Sequence, residues 1–126
     1  MTTQPHDIDE RAFRFLCDVI AFVRTIHHEP GVRRIADQLV GAAGSIRANR
    51  EEATSASSRK EFIRFNEIAL RSAKESTLWL RACDATKIGE SNRARPLLEE
   101  AQQLARILGA IVINSKRTPA QKGRIL

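Results

Sequence analysis

The chain has 126 residues, with 21 Lys and Arg against 15 Asp and Glu, a formal charge of +6 and an isoelectric point near 10.1. That length makes one domain that buries roughly two thirds of its unfolded surface without help from disulfides or metal. No run approaches the roughly 18 consecutive apolar residues needed to span a bilayer, so no membrane-spanning helix is expected, and the basic balance suits phosphate-bearing partners without identifying one.

The start, MTTQPHDIDE, is polar and acidic rather than a signal peptide, and a cytoplasmic protein is expected. Residues 1–7 carry no apolar periodicity and read as a disordered N-terminus. From there Ile8, Ala12, Phe15, Val19, Phe22 and Ile26 recur in alternating steps of four and three, the rhythm of a helix packed on other helices, and predict a helix over 8–28. A second row, Phe13, Leu16, Ile20 and Val23, widens the apolar face and predicts burial on two sides. Pro30-Gly31 reads as the stop, and His27-His28 sits where an imidazolium favours the carbonyl end of a helix. A metal site there would need further ligands at fixed spacing, and neither HExxH nor the Glu-x-x-His of carboxylate-bridged bundles occurs.

Val32, Ile35, Leu39, Ala42, Ile46 and Asn49 predict a second helix, with Gly41 to Ser45 forming a small mid-section suited to close helix approach. An amide at Asn49 on an apolar seam demands partners, so Ser45, Asn49 and Glu52 are candidates for a polar register pin between helices or subunits, or for a small pocket shared with Arg50 or a residue of the third helix. Thr54 to Ser58 marks a break, and Ser58-Arg59-Lys60-Glu61 reads as a capping box opening a third helix that runs to about Ala85. Its seam is Phe62, Phe65, Ala69, Ser72, Ser76, Trp79 and Cys83. Trp79 is a candidate core anchor or subunit contact.

On another face of this helix Lys60, Arg64, Arg71, Lys74 and Arg81 form one stripe, interrupted by Glu67 and Leu78, with Arg59 beside its start. These six cations, with Lys116 and Arg117, are the candidate nucleic-acid contacts; the competing reading is an ordinary solvated face. No aromatic residue interleaves the stripe and the chain has no Tyr, so contact to phosphates rather than stacking on bases is expected.

After a turn at Lys87-Ile88-Gly89, Ala94, Leu97, Ala101, Leu104, Leu108 and Ile111 predict a fourth helix over 91–115, with Pro96 in its first turn. No acidic residue follows Glu100, and 116–126 reads as a basic mobile tail. Cys17 and Cys83 have no metal or redox spacing and read as reduced core thiols. Four helices with short connections and no strand signal predict an all-α, antiparallel up-and-down four-helix bundle over 8–115. No phosphate-binding loop, nucleophile elbow or catalytic constellation is present, so neither enzymatic activity nor a cofactor is expected.

Four segments in order, GVRRIADQL, SIRANREEA, SRKEFIRFNEIAL and ES-x-LWL, resemble the four-helix bundle proteins first noticed as reading frames in intervening sequences of bacterial large-subunit ribosomal RNA genes. The resemblance covers about 20–115. It departs at Asn49-Arg50, where the family often has Asn-Tyr or Asn-Ile, and at Ser72, where an acidic residue is usual. What it implies is a non-enzymatic homo-oligomer, a pentameric ring in known examples. The chain is also similar to the accessory variability determinant proteins of diversity-generating retroelements, which implies RNA or DNA and a reverse transcriptase or other protein as partners. The alternative is a module that docks a partner protein without binding nucleic acid, its charge serving solubility or steering.

Overall fold

The computed structural model describes residues 5–117 of the chain. Four helices follow one another: α1 Pro5–Val23, α2 Pro30–Thr54, α3 Arg59–Ala85 and α4 Ser91–Lys116. Among the described residues there is no strand, and each helix packs on its two neighbours in the ring order α1, α2, α3, α4, with the α3 contacts to α2 and α4 the most extensive. This is the four-helix bundle that the seven-residue spacing demands, with α1 diagonal to α3.

The core is the set of residues stepping by three and four. Ile8, Ala12, Phe15, Val19 and Phe22 of α1 meet Leu39, Ala43 and Ile46 of α2, Ala69, Ala73, Leu80 and Cys83 of α3, and Leu97, Ala101, Leu104 and Leu108 of α4. Burying each large aliphatic or aromatic side chain of this set contributes about 1.5–3 kcal/mol relative to leaving it in water. On α3 the buried row is Asn66, Ala69, Ser72, Ala73, Ser76, Leu80 and Cys83. It is rotated from the expected seam, so that Phe62, Phe65 and Trp79 become half-buried flanks. Trp79 still packs against the core, and its indole donates to Glu75 one turn back at 3.1 Å.

Several boundaries differ from expectation for identifiable reasons. Helix α1 stops at Val23 rather than 28, because its last carbonyls are taken locally: Thr25 Oγ1 donates to the Phe22 carbonyl at 2.6 Å and His28 Nε2 to that of Val23 at 3.0 Å. Pro30 opens α2 instead of ending α1, its fixed φ and missing N–H suiting a first helical position. Pro96 lies past the first turn of α4, inside the helix. The helix already formed at Pro5 corrects the expectation of a disordered 1–7 for its last three residues; residues 1–4, and 118–126 of the expected tail, lie outside the described part.

Other expectations are corrected by burial. Phe13 and Ile20, expected to be covered, are 51% and 39% exposed, whereas Val23 of the same row is buried and Leu16 half-buried against the core, so the second apolar face of α1 is open within the chain at Phe13 and Ile20. Cys17 is exposed, whereas Cys83 is buried and burial pushes its thiol pKa up. The small mid-section of α2 packs through Ala42 and Ala43; a Cβ at Gly41 would meet nothing, and one at Gly44 only Leu16 at 3.9 Å.

The polar centre of the bundle is a charge. Arg50, 4% exposed near the end of α2, donates through Nε to Asp9 Oδ1 of α1 at 2.8 Å and through Nη1 to Asn66 Oδ1 of α3 at 2.8 Å. Asn66, fully buried, completes its needs by donating to the Phe62 carbonyl at 2.9 Å. Three helices are thereby joined at one end of the bundle, and among the described residues no buried side-chain nitrogen or oxygen lacks a partner. At the opposite end α3 closes with a Schellman motif: the Ile88 N–H donates to the Cys83 carbonyl at 2.8 Å and the Lys87 N–H to that of Asp84 at 3.3 Å. This places Lys87 at φ 59, a left-handed conformation that favours glycine.

Three outcomes follow from these sites. Asp9→Ala strands the buried Arg50 guanidinium and is expected to cost about 3 kcal/mol in urea denaturation, whereas Asp9→Leu/Arg50→Leu, which removes both charges, is expected to cost less than the single change. Lys87→Gly is expected to add about 0.5–1 kcal/mol by relieving the left-handed strain. Gly89→Ala is expected to destabilise, because at φ 74 its Cβ would meet Phe22 at 2.8 Å and Ile26 at 2.9 Å.

Candidate nucleic-acid interface

With 3.6 residues per turn, Lys60, Arg64, Glu67, Arg71, Lys74, Leu78 and Arg81 fall within an arc of about 100° on α3. The buried row centred on Ala69, Ala73 and Leu80 lies on the other side of the helix. Core packing therefore turns the cations outward, and all five are exposed. None of the five makes an ion pair among the described residues, while Glu67, the carboxylate inside the arc, is taken by Lys116 of α4 at 2.7 Å. The interruption read in the sequence is thus neutralised from the neighbouring helix, leaving a cationic surface along most of α3.

Arg59 stands apart from the stripe. Its guanidinium donates to the backbone carbonyls of Ser115 and Arg117, the latter at 2.7 Å, and closes the C-terminal end of α4. Arginine at that end also opposes the negative pole of the helix. Arg59 and Lys116 are hence engaged within the bundle, and Arg117, half-buried, follows directly on α4. The start of α3 and the end of α4 are held together, so Lys60 and Arg64 share one end of the molecule with Lys116 and Arg117.

The polar group expected around Asn49 divides into two. Asn49 donates to the carbonyl and the hydroxyl of Ser45 within α2, at 2.9 and 3.0 Å. The hydroxyl of Ser72 on α3 donates across to Ser45 Oγ at 2.8 Å, so the interhelical link runs through Ser45 and Ser72 rather than through the amide. Glu52 is exposed and takes no part. The ionised pin belongs instead to Arg50, Asn66 and Asp9. Arg50 and a residue of the third helix were expected only as possible neighbours of an Asn49 pocket, and nothing in the local spacing separates a buried arginine from a surface one.

The Ser58 hydroxyl accepts from the Glu61 N–H at 3.1 Å, one half of the expected capping box. Glu61 Oε1 returns to the N–H of Ser57 at 3.3 Å instead of that of Ser58. Among the described residues no three His, Cys, Asp or Glu side chains are placed to hold a metal ion. A cleft of about 280 Å³ between α1 and α4, lined by Asp18, Phe22, Arg93, Pro96 and Leu97 among others, brings together no nucleophile and base. No helix is long and apolar enough to cross a membrane among the described residues.

A family model described as the 23S rRNA-intervening sequence protein matches residues 5–110, spanning all four helices short of the end of α4. A protein of unknown function from the S23 ribosomal protein family of Bacteroides thetaiotaomicron VPI-5482, known from its crystal structure, superposes with a TM-score of 0.77. It is 23% identical, and the match covers 83% of this chain and 97% of that one, a likeness that speaks to the fold. No curated protein matches. With the match extending over most of its length, the chain belongs to the 23S rRNA-intervening sequence protein family.

Proposed function

We propose that this chain is a non-enzymatic, homo-oligomeric accessory protein of the cytoplasm that binds nucleic acid electrostatically through α3. The observation that carries the reading is the row of Lys60, Arg64, Arg71, Lys74 and Arg81, exposed and unpaired among the described residues, with the intervening Glu67 neutralised by Lys116. Exposed lysine and arginine held in one row release condensed counterions when they meet phosphates, and that release supplies sequence-independent affinity.

Self-association is supported by the open face of α1, where Phe13 and Ile20 stand exposed beside Leu16. Because α1 is diagonal to α3, copies joined through α1 keep the basic row accessible, and several rows on one particle multiply a weak contact. Ring assembly, as the family resemblance implies, fits this division of faces. One observation favours the reading of a protein partner: Leu78, 56% exposed, lies in the middle of the basic arc. An apolar residue in that position suits a protein surface better than a phosphate.

Charge reversal of Arg64, Arg71 and Lys74 together is expected to lower RNA and DNA retention at least tenfold while leaving the helical circular dichroism and melting temperature unchanged; unaltered retention would remove α3 from the account. Sedimentation equilibrium of the full chain is expected to give a mass several times 14.1 kDa. A single 14.1 kDa species at micromolar concentration would remove the oligomer.

A further inference from the structure

The cationic row of α3 has a definite length and grouping. With a rise of about 1.5 Å per residue, Lys60 and Arg64 lie about 6 Å apart along the axis, Arg71 and Lys74 about 4.5 Å, and the gaps from Arg64 to Arg71 and from Lys74 to Arg81 are each about 10.5 Å. Three groups of charge are thus carried on one continuous helix over about 32 Å. These gaps come near the width of the major groove of B-form DNA, about 12 Å, and exceed that of the minor groove, about 6 Å.

The chemistry of the face points the same way. Proteins that hold single strands combine a basic groove with aromatic platforms on which bases stack, each worth about 1–3 kcal/mol. The aromatic residues of α3 are Phe62, Phe65 and Trp79, and all three lie off the cationic arc, half-buried, with the Trp79 indole held by Glu75. Apart from Glu67, which Lys116 holds, the exposed side chains of the arc are guanidinium, ammonium and the aliphatic Leu78, with no aromatic ring among them. A flexible strand would have to be ordered against this helix with no base contact to offset the lost entropy. A double helix already presents its phosphates in fixed rows on both sides of a groove.

We infer that the ligand of the α3 face is a nucleic-acid double helix, contacted through phosphates on either side of a groove, and not a single strand. This rests on the reading of α3 as a phosphate-binding surface. The pairs Arg64 with Arg71 and Lys74 with Arg81 are each spaced to reach phosphates on the two sides of a groove, and Lys116 keeps Glu67 from repelling the backbone between the first pair.

The test uses the full, nuclease-treated chain and four labelled probes of equal length: an RNA duplex, a DNA duplex, and an unpaired RNA and DNA strand that cannot fold back. Both duplexes, or one of them, are expected to bind at least tenfold more tightly than either single strand at the same salt. Preference for the RNA duplex assigns A-form shape, and equal binding assigns phosphates common to both forms. Arg71→Glu/Lys74→Glu is expected to lower duplex affinity at least tenfold. The charge-matched Arg14→Glu/Arg24→Glu, on the α1 side away from α3, is expected to change it less than threefold. Single strands binding as tightly as duplexes, with the same dependence on Arg71 and Lys74, would overturn the duplex inference and leave the phosphate reading standing. No binding to any probe would overturn both.

Discussion

A buried guanidinium constrains this bundle more than any other single group. Hydrophobic packing among four similar helices tolerates small rotations and slips, because one aliphatic contact resembles the next. Arg50 does not tolerate them: its charge needs Asp9, and its remaining donors need Asn66, each at 2.8 Å. Such a network adds little net stability over a well-packed apolar replacement, since desolvating the ions offsets much of their attraction. What it does is select one register. Any rotation of α3 that removes Asn66 from the interior leaves a buried donor unsatisfied on α2, at a cost of about 1–3 kcal/mol for the unmet hydrogen bond alone.

That selection reaches the surface. With Asn66 turned inward, the residues on the far side of α3 are Lys60, Arg64, Arg71, Lys74, Leu78 and Arg81, so the pin in the core and the cationic row are two faces of one helical phase. The two ends of α3 are held by different means. Ser58 caps its start while Arg59 joins that start to the last carbonyls of α4, and a Schellman turn closes its end over Phe22 and Ile26 at Gly89. The helix that bears the charge is thus secured at both termini and along its interior side. The apolar face left open, on α1, is on the diagonal helix.

How far this was legible in the sequence depends on the range of the interaction concerned. Helices α2, α3 and α4 and the bundle itself follow from the spacing of residues such as Leu39, Ala42 and Ile46, because a helical period is a local property. The capping Ser58 and the turn before Gly89 were legible for the same reason. The end of α1 was not, since Pro30 suits a helix start as well as a stop, and the choice was made by Thr25 and His28 binding the last carbonyls. The polar seam was placed one residue away from its true centre: Asn49 continues the apolar seam of α2 and Arg50 does not, yet Asn49 is satisfied within its own helix by Ser45. Arg50 finds its partners 41 and 16 positions away, and no local window contains them. The same holds for Lys116, which reads as part of a basic tail until the fold brings it to Glu67.

The claim on which the functional account stands is that the outward row of α3 meets phosphates. The dependence of its nucleic-acid affinity on salt tests that most directly, because each phosphate neutralised adds about 0.9 to the slope of log K against log salt on B-form DNA. The account predicts a linear fall with a slope corresponding to several phosphates per particle. Binding that is absent at low salt, or that persists unchanged as salt is raised, would contradict it.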